Sequence, residues 1–206
     1  MQITKIERTK KGRFSLFCGE EFLFSLHPDI FAACEITTGC EVSKDRLMEL
    51  FQQDEFRSAR DKAMSVLARS DKTTKQLYDK LRRYYSDDAC ALAVQRMVEI
   101  GLVNDENYAG RYARDMVNLK GWSLKRVAQE LKIRGIDADI ISHCLENFQD
   151  YDAEDKLNQL IEKKYYKYLV DEKGVRKVTN ALLRLGYSFG DIRRALKIYE
   201  EDYSEY

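Results

Sequence analysis

Three stretches of this chain superpose without a gap: Thr74-Lys75-Gln76-Leu77-Tyr78-Asp79-Lys80-Leu81, Leu124-Lys125-Arg126-Val127-Ala128-Gln129-Glu130-Leu131 and Val175-Arg176-Lys177-Val178-Thr179-Asn180-Ala181-Leu182. Their anchors Leu77, Val127 and Val178 lie 50 and 51 residues apart, so the chain carries three copies of a unit about that long. Within each copy a second apolar residue follows four positions on (Leu81, Leu131, Leu182), which is the spacing of one helical face. Four residues further stands a stop, Gly135 or Gly186 in the later copies and Tyr85 in the first; glycine suits a helix end that needs positive φ. A third helix then starts near Asp87, Asp137 or Phe189, with acidic residues at its positive end. Between the first two copies, Gly101 ends one helix and Asn104 caps the next, with Asp105 and Glu106 in its first turn.

One such unit has too little interior to be very stable alone, so neighbours are expected to stack and share a continuous core. With helices of roughly 11 to 15 residues, three stacked units predict a curved rod about 60 to 75 Å long. The single proline in 206 residues agrees with long helices and argues against a loop-rich β fold. Ahead of the repeats, Phe14, Leu16 and Cys18 alternate with Ser15 and Phe17, and Phe22, Phe24 and Leu26 with Leu23 and Ser25. That period of two predicts a small antiparallel unit within residues 2 to 26, turning at Lys10-Lys11-Gly12 and Gly19-Glu20-Glu21. Ser43 is read as the cap of a short helix from Lys44 to Gln52. From Asp54 a new stripe begins with Phe56, Ala59, Ala63, Val66 and Leu67. The fold expected is mainly α, tandem three-helix repeats in an elongated, curved arrangement, with a small N-terminal β-hairpin region. Its divisions are 1–52 for the β-rich region and short helix, 53–102, 103–149 and 150–206 for the three repeats.

The 44% apolar content is that of a folded chain, and 35 Lys+Arg balance 35 Asp+Glu, so no overall field draws the molecule to nucleic acid or membrane. No stretch longer than seven residues lacks a charged side chain, so neither a leader peptide nor a membrane span is expected. Cys18, Cys34, Cys40, Cys90 and Cys144 are odd in number and form no C-x-x-C pair; they read as reduced cytosolic thiols. His27 and His143 bear no motif relation to them, so no metal site is expected.

One string has a catalytic look. Gly186-Tyr187-Ser188-Phe189-Gly190 satisfies the G-x-S-x-G pattern of a serine nucleophile, yet it lies between two helices, and both histidines precede it. Ser188 is therefore read as a residue near a helix start. Phosphate-cradling glycine motifs and H-E-x-x-H are absent from the sequence, so neither catalysis nor a cofactor is expected.

Charge is informative only locally. The second helix of each repeat and its flanks carry fourteen basic residues against four acidic ones, and Lys75, Lys125 and Arg176 occupy one repeat position. Repeated charge on stacked units suits a phosphate backbone or an acidic protein groove, although a solvated helix face gives the same pattern. Tyr165, Tyr166 and Tyr168 sit among Lys163, Lys164 and Lys167; stacking on bases is one reading, but helical spacing favours Tyr165 and Tyr168 on the core face with Ile161.

Over nearly its whole length the chain resembles the RecX family. The resemblance rests on Ile3-Thr4-Lys5-Ile6-Glu7, Gly19-Glu20-Glu21-Phe22, Ala59-x-x-x-Ala63 and, most specifically, Gly101-Leu102-Val103-Asn104-Asp105-Glu106-Asn107-Tyr108-Ala109. Gly121 with Val127, Glu130, Leu131, Gly135 and Ile136, and then Leu182-Leu183-Arg184-Leu185-Gly186-Tyr187-Ser188, continue it. Tyr85 departs from it where the first repeat usually has glycine, and Trp122 where proline is common after Gly121. The resemblance implies a non-enzymatic, cytoplasmic regulator of recombination and DNA repair, linked to the SOS response. Such a monomer lies in the groove of a RecA recombinase filament on single-stranded or duplex DNA and most readily inhibits its extension and ATPase. A stand-alone DNA-binding module is the alternative. From the charge pattern, Lys75, Arg82, Arg83, Lys125, Arg126, Lys132, Arg176, Lys177 and Arg184 are the expected contacts with partner or DNA.

Overall fold

The computed structural model describes residues 1–148 and 151–201. Two units emerge: Met1–Lys72 with Gln76–Val103, and Thr73–Lys75 with the chain from Asn104 onward. In the first, strands β1 (Lys5–Arg8), β2 (Phe14–Cys18) and β3 (Glu21–Leu26) form one antiparallel sheet in chain order, pairing Ile6 with Leu16 and Leu16 with Phe24. Leu16 and Leu26 are fully buried with Ile3, Ile36, Val42, Leu47 and Leu50, but Phe22, in step with Leu26, is 53% exposed beyond a register shift between Leu16 and Phe17. A short helix α1 (Pro28–Ala33) follows, with proline in its first turn, where no backbone donor is required.

The structure departs most from expectation at the next element. Ser43 is the cap, its Oγ accepting from the Arg46 N–H at 3.1 Å, but the helix does not stop at Gln52. Helix α2 runs unbroken from Lys44 to Leu67, about 36 Å at the α-helical rise, because no glycine, proline or competing cap interrupts Gln52 to Asp54. The division expected at 52/53 therefore falls inside one helix, and two cores share it. Leu47 and Leu50 serve the sheet, while Ala59, Ala63 and Val66 pack with Leu77 and Leu81 of α3 (Thr74–Leu81) and with Ala89, Cys90, Ala93 and Met97 of α4 (Asp87–Glu99).

Asp54, at the middle of α2, is only 5% exposed. Its carboxylate pairs with the Arg13 guanidinium and accepts the His27 backbone N–H at 2.5 Å, tying both ends of the β2–β3 hairpin to the helix. Removing it strands a half-buried cation and a backbone donor, so Asp54→Ala is expected to cost about 2 kcal/mol. Urea unfolding measures this; the exposed surface replacement Glu49→Ala is the control, with a change within about 0.5 kcal/mol.

The second unit holds two three-helix groups: α5 (Asp105–Asn118), α6 (Leu124–Ile133) and α7 (Ala138–Glu146), then α8 (Ala153–Leu160), α9 (Glu172–Arg184) and α10 (Phe189–Glu201). The division expected at 149/150 lies outside the described residues, as does the end of the third repeat beyond 201. Asn104, Ser123, Asp137, Asp152, Asp171 and Ser188 each accept a backbone N–H at a helix start, so these helices begin where a short polar residue can cap them. The repeat equivalence is physical: Leu77, Val127 and Val178 are at most 2% exposed, and Leu81, Leu131 and Leu182 are fully buried.

Gly135 (φ 80°) and Gly186 (φ 91°) end α6 and α9. The N–H of the next residue, Ile136 or Tyr187, returns to Leu131 or Leu182, and both follow-on side chains are buried. Tyr85 takes no positive φ; α3 stops at Leu81, and the N–H groups of Tyr84 and Tyr85 both return to the Leu81 carbonyl. The missing glycine thus shortens the helix.

The expectation for the tyrosine cluster is half right. Tyr165 packs against the core, but Tyr168 is 50% exposed and Leu169 is buried in its place. After α8 the chain makes a π-helical turn, Ile161–Tyr165, then a 3-10 turn, Tyr166–Tyr168. The change of winding shifts the inward position from Tyr168 to Leu169.

Candidate binding surface

With the anchors of α3, α6 and α9 committed to cores, their remaining positions turn to solvent. Lys75, Arg82, Arg83, Lys125, Lys132, Arg176, Lys177 and Arg184 are exposed, and Arg126 is half-buried. On α6, Lys125 and Lys132 are two turns apart on one stripe; Lys177 and Arg184 are related in the same way on α9. Arg82 and Arg83 follow Leu81 in the first unit.

Two of the nine also pack. The aliphatic stem of Lys75 occupies the space where Gly135 would carry a Cβ, its Cγ 2.7 Å from that position. Arg126 lies under Gly186, with Arg126 Cβ and Ser123 Oγ each 2.5 Å from the equivalent point. The same joint recurs in its hydrogen bonds: the Thr73 hydroxyl donates to the Arg134 carbonyl at 2.6 Å, and the Ser123 backbone N–H donates to the Leu185 carbonyl at 2.9 Å. A donor at each helix start therefore meets one of the last carbonyls of the next repeat's second helix, which satisfies a group that the helix leaves unpaired.

An array of arginines and aromatic rings escaped the sequence reading. The Arg126 guanidinium lies 3.9 Å from the Trp122 ring centre, and Arg134 lies 4.4 Å from that of Tyr112. Arg134 donates to Tyr108 Oη at 2.9 Å, and Tyr108 and Tyr112 stack with centres 6.0 Å apart. The four-residue step from Tyr108 to Tyr112 on α5 was the available signal; that Arg134 meets it depends on how α5 and α6 pack.

Ser188 has a helix-capping role. Its Oγ accepts the Asp191 N–H at 3.1 Å and donates to Asp191 Oδ2 at 2.6 Å, a hydrogen bond that holds the Asp191 carboxyl below its ordinary range. His27 Nδ1 accepts the Asp29 N–H at the start of α1, and His143 Nδ1 lies 3.3 Å from Glu146. All five cysteines are free thiols, and burial pushes those of Cys90 and Cys144 up, away from the reactive thiolate.

Models of the first, second and third three-helix domains of RecX match residues 59–97, 104–145 and 150–196, together more than half of the chain. The chain belongs to the RecX family. The first RecX match begins within α2, in agreement with the division of that helix between two cores. Among relatives named regulatory protein RecX, that of Caldanaerobacter subterraneus subsp. tengcongensis is 29% identical over 96% of this chain and 100% of its own length. The Bacillus subtilis protein is 27% identical over 98% of this chain and 79% of its own. A crystal structure of regulatory protein RecX superposes with a TM-score of 0.64 at 20% identity, covering 95% of this chain and 98% of that one. That of RecX from Lactobacillus salivarius gives 0.59 at 26% identity over 72% and 98%. Among the described residues, no helix is long and apolar enough to cross a membrane.

Proposed function

We propose that this RecX-family chain is a cytoplasmic monomer that regulates recombination by lying along a RecA filament on DNA, restraining its extension and ATP turnover without chemistry of its own. The observation that carries the reading is family membership together with exposed basic side chains at recurring positions of α3, α6 and α9. Such charges engage either acidic recombinase surface or phosphate, and occupancy alone hinders subunit addition. The pure protein is expected to lower DNA-dependent ATP hydrolysis by RecA at or below one copy per recombinase subunit. Unaltered hydrolysis together with unaltered filament length would count decisively against it.

A second reading, direct binding to DNA, draws on the same basic helices. It predicts association with duplex DNA in the absence of recombinase, weakening by roughly one log unit per log unit of salt for each phosphate contact. Binding that is independent of salt sinks it.

A further inference from the structure

Beside the basic helices, and independent of the filament reading, the second unit contains a cleft whose chemistry is distinct. It occupies about 200 Å³ between the end of α5 and the α8 segment and adjoins a hollow of about 320 Å³ with which it shares Val117, Asn118, Tyr151 and Lys156. Lys156, Gln159 and Leu160 of α8 and Lys163 and Lys164 of the π-helical turn that follows all line the cleft, so one continuous segment supplies three ammonium groups. Arg114 adds a further cation in the adjoining hollow. Among the described residues lining the cleft there is no carboxylate, and Asp155 is engaged by the Gln159 amide at 2.7 Å.

The rest of the lining is aromatic and polar. It includes Trp122, Tyr151 and the Asn118 amide, with Gly121, where Leu160 Cδ1 lies only 3.0 Å from the place of the missing Cβ. A phenol is neutral near pH 7, and burial pushes the Tyr151 and Tyr187 hydroxyls still further from ionisation, so neither puts negative charge in the lining. Clustered ammonium groups suit a phosphate, the phenol of Tyr151 and the part of the Trp122 indole that Arg126 leaves uncovered suit a nucleobase, and amide side chains suit its edge.

We propose that this cleft binds a single nucleotide unit, its phosphate held by Lys156, Lys163 and Lys164 and its base lying against Trp122 and Tyr151. The unit is either a free nucleotide or one residue of a single strand. The chain has one tryptophan, Trp122, so its fluorescence reports occupancy directly. The full chain is titrated with dAMP, a four-nucleotide deoxyadenosine strand, deoxyadenosine and inorganic phosphate. Saturable change with dAMP or the strand, and at least tenfold weaker change with deoxyadenosine, is expected; equal response to dAMP and strand marks a free-nucleotide site, response to the strand alone a strand site. Lys163→Glu with Lys164→Glu is expected to weaken the response at least tenfold with an unchanged melting temperature. Lys167→Glu, an exposed lysine outside the cleft, leaves it unaltered. No saturable response to dAMP or to the strand overturns the proposal, as does an equal loss in Lys167→Glu. Inhibition of RecA ATPase is read separately, so failure of the cleft and failure of the filament reading remain distinct outcomes.

Discussion

Gly186→Val is expected to destabilise the second unit by about 3 kcal/mol, one of the largest effects a single substitution in this chain should have. Two costs combine. A φ of 91° is closed to a β-branched residue, at roughly 1–2 kcal/mol, and the new Cβ overlaps the Arg126 Cβ and Ser123 Oγ, 2.5 Å away, at about 1–3 kcal/mol more. Arg126 cannot retreat freely, because its guanidinium is stacked on Trp122. Gly101→Ala separates the two costs: its φ is 74°, but nothing lies within 4 Å of the added carbon, so about 1 kcal/mol is expected. Urea denaturation of both variants decides the matter, and equal losses would show that the joint between α6 and α9 is loose.

The combined variant Lys125→Glu, Lys132→Glu and Arg176→Glu is expected to weaken association with RecA filaments about a hundredfold, at roughly 1 kcal/mol for each contact. These three are exposed, and unlike Lys75 and Arg126 none is committed to a repeat joint, so the melting temperature should hold within about 2 °C of the parent. Co-sedimentation with filaments on single-stranded DNA measures the loss. Parent-like binding would refute this choice of surface while leaving the family intact.

Much of the architecture could be read along the chain because its signals are local. Asn104, Ser123 and Ser188 each precede an apolar run and each caps the helix expected there; Gly135 and Gly186 each take the positive φ that ends a helix. Leu77, Val127 and Val178 are buried alike since a 50-residue repeat of the same spacing builds the same bundle three times. The candidate surface was legible to the extent that exposure follows from facing away from those anchors. That Arg126 and Lys75 also serve in packing was not, since their neighbours Gly186 and Gly135 lie 60 residues away in sequence.

The sequence alone determined the helix starts at Ser43, Asn104, Asp137 and Ser188, the repeat, its buried anchors and, through the order of its motifs, the RecX family. Tertiary structure alone decided that α2 is one helix serving two cores, that Asp54 is buried under Arg13, that Leu169 displaces Tyr168 inward, and that Lys163 and Lys164 share a cleft with Trp122. Caps and periodicities act within a turn or two of the backbone and are written in adjacent residues. The burial of a charge and the convergence of side chains from separate helices depend on which surfaces meet, and that is settled only when the chain packs.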